Sequence, residues 1–133
     1  MRQRLVGLIV AVGSMVMSAV PAMAHHSFTA EFDDRKLVEL KGVISKIDWI
    51  NPHVYIFLDV KDEAGKVTTW ALEGHPTHWF TKAGLKKSML GEGQTVTVSA
   101  FAAKDGSALA YARRITYADG HFYQLFTDDA VLH

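Results

Sequence analysis

Hydrophobic and polar positions alternate with a period of two over most of the chain after residue 36, which predicts strands rather than helices. Over residues 37–50 the alternation changes phase: Val38, Leu40 and Ile44 fall on one face, then Ile47 and Trp49 continue on the other. A bulge or sharp coil at residues 42–45 produces such a switch, and lets one long strand serve two sides of a barrel. Asn51-Pro52 ends the strand, because proline lacks a ladder donor and restricts its predecessor. Over residues 53–60 the pattern is strict. Val54, Ile56, Leu58 and Val60 face one way, and His53, Tyr55, Phe57 and Asp59 face the other.

A charged, Gly-containing loop at residues 61–66 leads to a third strand over 67–73. Residues 76–83 read as a short helix with proline in its first turn and Gly84 as its stop. Gly91-Glu92-Gly93 turns the chain into a strand over 94–102, and Lys104-Asp105-Gly106-Ser107 turns it into another over 108–117. Asp119-Gly120 is a two-residue hairpin signal that predicts a short sixth strand within 121–126. Three strands, one short helix and two strands, with the first strand long and bent, predict an all-β domain: a small OB-fold-like barrel of five or six strands. An open sandwich of similar strands is the competing arrangement.

The first 24 residues do not belong to that pattern. Arg2 and Arg4 precede an uncharged run from Leu5 to Val20, and Pro21-Ala22-Met23-Ala24 closes it with the small-x-small spacing that signal peptidases accept. The uncharged stretch through Ala24 is about 20 residues, just long enough to cross a bilayer. Gly13, Pro21 and the Ala-x-Ala ending favour cleavage over a retained anchor. The expected organisation is a signal peptide over 1–24, an N-terminal arm over 25–35, the barrel over 36–126 and a tail over 127–133. The expected product is periplasmic or secreted, with no stable membrane anchor.

Composition narrows the chemistry. The 133 residues carry 14 Lys+Arg against 14 Asp+Glu and no cysteine, which excludes disulfides, thiolate metal sites and cysteine nucleophiles. Removing the leader takes two arginines and no acidic residue, so the mature domain is slightly acidic, against a nucleic-acid partner. The carboxylate pairs Asp33-Asp34, Asp62-Glu63 and Asp128-Asp129 sit in the arm, a turn and the tail, where adjacent charges are solvated. No nucleophile elbow, zinc-protease helix or phosphate loop is present, and no catalytic residue is assigned.

The seven histidines are the main chemical signal. Cleavage after Ala24 makes His25 the first residue, so its α-amine and ring Nδ1 can chelate one ion. With another imidazole this resembles the histidine brace of several secreted copper proteins, and nitrogen donors favour Cu(II). His26 and His53 are the candidate further ligands. The other reading of His25-His26 is an exposed start with adventitious metal affinity, and that of His53 is a hydrogen bond that caps the Asn-Pro corner. His75 and His78 are three apart, but Pro76 places His75 outside the helix, so they are read as separate surface residues. His121 and His133 have no partner pattern. A second signal is aromatic: Tyr55 and Phe57, joined by Phe101 or Tyr111, form a possible ligand face for a protein or glycan. In the alternative, Phe28 and Phe32 of the arm, or Trp79 and Phe80, cover it.

The start His25-His26-Ser27-Phe28, the Glu31-Phe32-Asp33 segment, the core Trp49-Ile50-Asn51-Pro52-His53 and the turns at 91–93 and 104–106 resemble a family of short exported bacterial proteins, a domain of unknown function. That family usually carries a Leu- and Arg-rich helix followed by Gly-Trp, where this chain has His75-Pro76-Thr77-His78-Trp79-Phe80 and Gly84-Leu85; its tail beyond Gly120 is also longer. The resemblance implies an exported small β domain and supplies no activity. Together these readings predict an exported binding protein, copper-binding through His25, or a periplasmic protein- or glycan-interaction module without metal.

Overall fold

The computed structural model describes residues 28–126, so the expected leader, His25, His26 and the tail over 127–133 lie outside the described residues. The long strand is one element, β1 (Phe32–Asp48), beginning five residues earlier than the alternation suggests because Phe32 pairs with Ala103 at the far end of another strand, ahead of an irregular stretch up to Leu37. The register of β1 slips between Ile44 and Lys46, which makes Ser45 the extra residue of a bulge. Leu40 and Ile44 before it, and Ile47 and Trp49 after it, therefore reach the same core.

β2 (Tyr55–Lys61) and β3 (Val67–Glu73) form a hairpin against the second half of β1. Helix α1 is a single turn (Phe28–Glu31) ahead of β1, and α2 (Thr77–Lys82) follows β3. A 3-10 turn (Lys87–Met89) leads to β4 (Thr95–Ala103), which pairs with the first half of β1 and with β5 (Leu109–Tyr117). β6 (Phe122–Gln124) adds to β5 at residues 114–116. The sheet closes where β3 runs parallel to β5, pairing Ala71–Glu73 with Leu109–Tyr111. The cycle β1-β2-β3-β5-β4 is a closed five-stranded barrel, and the open-sandwich alternative falls. No described helix is long and apolar enough to cross a membrane.

Inside the barrel lie Leu40, Ile44, Val54, Ile56, Leu58, Leu72, Val96, Val98 and Ile115, with Phe80 and Leu85 plugging one end. A second apolar cluster, Phe32, Phe101, Ala103, Tyr111 and Phe126, sits on the outer surface of the sheet, and Phe28 packs on it. The segment expected as an arm thus contributes, from Phe28 on, a helical turn and the start of β1. Its Glu31 carbonyl accepts from the Lys104 backbone N–H at 2.9 Å.

Gly42 sits where β1 passes from one partner to the other, paired with Val96 just before Val43 faces Asp59. A Cβ there would stand 2.4 Å from the Asp59 carbonyl oxygen, a contact that only backbone movement relieves. Gly42→Ala is expected to destabilise the barrel by about 1–3 kcal/mol in urea unfolding followed by tryptophan fluorescence. Gly91→Ala, whose added carbon meets only the Gln94 side chain at 3.5 Å or more, should stay within about 0.5 kcal/mol of the parent.

Candidate functional site

The Asn51-Pro52 corner and the Gly74-His75-Pro76 segment are tied together by backbone. Gly74 N–H donates to the Val54 carbonyl at 2.8 Å, and Val54 N–H donates to the His75 carbonyl at 3.2 Å. The Asn51 side-chain oxygen accepts from the Thr77 backbone N–H and hydroxyl, both at 3.1 Å, so the corner also satisfies the first turn of α2. This joint brings together His53, Tyr55, Glu73 and His75, with Tyr111 entering from β5.

The His53 side chain is about a third exposed. Its Nδ1 lies 3.0 Å from the Gly74 carbonyl oxygen and 3.2 Å from Glu73 Oε1, so an Nδ1–H donates there. Among the described residues, Nε2 has no hydrogen-bond partner. Glu73 is 8% exposed and is the only buried charged residue described. Burial raises its pKa above the ordinary glutamate value, and the nearby Glu31 charge adds to the rise. His53 and a hydrogen bond from the Tyr55 hydroxyl work in the other direction. Tyr55 in turn is pushed up to about 12, by burial first and then by the Glu73 charge and that hydrogen bond.

His75 lies outside α2, as Pro76 requires, and does not act as a surface residue. Its Nδ1 is 3.1 Å from the Tyr111 hydroxyl, and its ring lies between Trp79 (centroids 4.7 Å apart) and Phe126 (5.5 Å). Burial, and then the neighbouring His53 and His78, lower its pKa, so it is neutral at physiological pH. Among the described residues, His75 Nε2 is buried with no hydrogen-bond partner. His121 has a local role, pairing with Asp119 and stacking on Tyr117 at 4.3 Å.

The expected aromatic face divides in two. Tyr55 and Phe57 are stacked, centroids 6.4 Å apart, half-buried and open to solvent, with the Lys46 ammonium 5.1 Å from the Phe57 ring. Phe101 and Tyr111 do not extend that platform: both are 5% exposed, because Phe28 and Phe126 pack edge-on against them at 5.2–5.6 Å. Phe80 is in the core, and Trp79 covers His75 rather than the strand face.

Of the three expected metal ligands, only His53 is a described residue, and among the described residues no three His, Asp or Glu side chains converge to hold an ion. Glu73, His75 and Tyr111 join the site without having stood out in the sequence pattern. The available signal is the run Leu72-Glu73-Gly74-His75, which puts a carboxylate and an imidazole at the end of an apolar strand whose partner begins with His53.

The raised pKa of Glu73 has a definite sign for stability. Below the unfolded value of 4.5 the carboxyl is protonated in both states and its contribution is intact. As pH rises through the folded value, ionisation costs the folded protein more than the unfolded one, and that stability is lost. Glu73→Gln is expected to remove this segment of the curve. Urea midpoints for parent and variant should therefore converge or cross as pH goes from about 7 to about 4; parallel curves would contradict the assignment.

Residues 12–112 match the family model described as a family of unknown function, DUF6152, and the chain belongs to that family. No curated protein and no solved structure matches the chain.

Proposed function

We propose that this member of DUF6152 is exported by a cleaved leader over 1–24 and binds Cu(II) through the liberated His25, with His26 and His53 as further ligands. The observation that carries the reading is the state of His53. Its Nδ1 is engaged by the Gly74 carbonyl with the Glu73 carboxylate behind it, which fixes the tautomer and leaves Nε2 for a ligand. Metal-binding imidazoles are characteristically oriented this way by a carbonyl or carboxylate on the other nitrogen.

Phe28 supports the same reading from the other side. It is wedged among Phe32, Phe101, Tyr111 and Phe126, and Tyr111 bonds His75 next to His53. Residues 25 and 26 precede that anchor by two or three positions, so their reach from it is limited to about 7–10 Å. Amine and imidazole must lose protons to bind the ion, so affinity should rise with pH through about 6–8.

Mature protein starting at His25 is to be compared with a version carrying one extra residue ahead of it. The native start is expected to bind Cu(II) far more tightly in competition with a chelator, and with a different electron paramagnetic resonance spectrum. Equal affinities and identical spectra would overturn the copper reading. His53→Ala on the native start should weaken binding by at least about 10-fold, more than the loss of an outer partner alone brings at its mildest.

A second reading rests on the exposed Tyr55–Phe57 pair, a flat apolar platform beside a cation that suits a periplasmic protein or a glycan ring. Under it Phe57→Ala abolishes partner binding, leaves Cu(II) affinity unchanged, and the native-start requirement is absent.

A further inference from the structure

We infer that the outer face of β2 and the open edge of β3 together take an extended, arginine-bearing peptide segment of a partner protein. This rests on the interaction-module reading, names its partner, and is independent of copper.

The backbone offers the first half of the site. In the β2–β3 hairpin Gly74 N–H donates to the Val54 carbonyl, so β3 residues an even number of places from Gly74 turn their backbone groups towards β2. Ala71 belongs to the other set, and its N–H donates outward to the Ala108 carbonyl at 3.0 Å. Val67 and Thr69 share that outward direction, because the direction repeats every two residues along a strand. The pairing of β3 with β5 begins only at Ala71, which leaves the Val67–Thr69 edge without a neighbouring strand among the described residues. Both residues are exposed, and both are β-branched, which suits a paired strand. An open edge of this kind accepts an added strand through main-chain hydrogen bonds.

The side chains beside the edge select what the added strand carries. Register puts Tyr55 opposite Glu73, Phe57 opposite Ala71 and Asp59 opposite Thr69, all on the outer face. Ala71 and Thr69 are small, so a long side chain from an added strand can lie over them towards Phe57 and Asp59. Those two groups call for a flat cation. Asp59 accepts from the Thr69 hydroxyl at 2.6 Å and has no cationic partner among the described residues. Phe57 already holds the Lys46 ammonium 5.1 Å from its ring, and that ammonium is matched by Asp48 at 2.9 Å. The Glu31 charge acts on both Tyr55 and Glu73. Carboxylates therefore outnumber cations over the face: Asp48, Asp59, Glu73 and Glu31 stand against Lys46 and Lys61. A guanidinium is planar, stacks on an aromatic ring, and offers only donors to carboxylates that only accept. A neutral sugar ring would stack as well, yet it leaves the excess charge unanswered and brings no main chain to the β3 edge.

The test uses the chain from His25 to His133 and three defined probes: a capped octapeptide of alternating arginine and threonine, its glutamine counterpart, and chitotetraose as a neutral glycan. The arginine peptide is expected to bind at least about 10-fold more tightly than the glutamine one, to weaken as salt rises, and to shift amide resonances over Val67–Ala71. Thr69→Pro removes an N–H that points away from β2, a change that edge strands tolerate, and should weaken the arginine peptide at least about 10-fold with little change in melting temperature. Thr69→Val, which loses the hydroxyl and keeps that N–H, should bind like the parent. Asp59→Asn should weaken binding by about 2–5-fold, and Phe57→Ala should abolish it. Equal affinity for the two peptides, or parent-like binding by Thr69→Pro, overturns the inference. If Thr69→Pro does not fold, the parent's amide shifts decide, and shifts confined to other strands overturn it too. The failure of the partner and that of the module are distinguishable. If chitotetraose binds in place of the peptides and Phe57→Ala abolishes that, the interaction module stands and only its partner is wrong; if no probe shows Phe57-dependent binding, both are lost.

Discussion

A small five-stranded barrel closes only if one strand coils hard enough to hydrogen-bond along both flanks, and here that coil depends on two backbones meeting at Gly42. The Asp59 carbonyl occupies the space a side chain would need. Three residues later the Ser45 bulge reverses the inward-facing phase, so Ile44 and Ile47 both reach the interior from one continuous strand. Everything downstream follows from this geometry. Once β1 pairs with β2 on one side and β4 on the other, β3 and β5 are brought edge to edge, and their short parallel pairing at Ala71–Glu73 fixes where Glu73 and Tyr111 stand relative to each other.

The polar cluster is a consequence of the barrel's outer surface being covered unevenly. Phe28 and Phe126 shield the part over Phe101 and Tyr111, and Tyr55–Phe57 stays open. Glu73 and His75 lie at the boundary, where cover is thick enough to desolvate them yet partners are still within reach. Their pKa values move in opposite directions for the same reason, since burial disfavours the charged form of each. Holding a carboxylate and a neutral imidazole there is a cost to folding that an apolar pair would avoid. Such costs are commonly met at sites that bind something.

The barrel was legible because it is written in local pattern. The phase change in β1, the strict alternation of β2, the Pro76–Gly84 bracket of α2 and the turn glycines each act over a few residues, and each recurs in the structure. The long reach of β1 back to Phe32 was not legible, since Asp33-Asp34-Arg35-Lys36 carries no alternation and forms the irregular stretch between the Phe32–Ala103 and Leu37–Phe101 pairs. The partnership of His53 with Gly74 and Glu73 was equally hidden: 21 residues separate the bonded pair, and nothing in either segment alone announces it. His75 was misplaced for a related reason. Helical spacing invited comparison with His78, whereas its real neighbour, Tyr111, lies 36 residues away across the parallel strand pair.

Phe28 and Phe126 touch, with ring centroids 5.3 Å apart, so the two extremities of the described fold emerge side by side from one aromatic clasp. Geometrically the domain is almost a loop. A short linker could join those extremities and new ones could be opened at the solvent-facing Lys61–Lys66 turn, because no buried backbone pairing crosses that tip. The same adjacency means that whatever is joined directly at Phe28 or at Phe126 leaves the fold from one and the same side of the molecule.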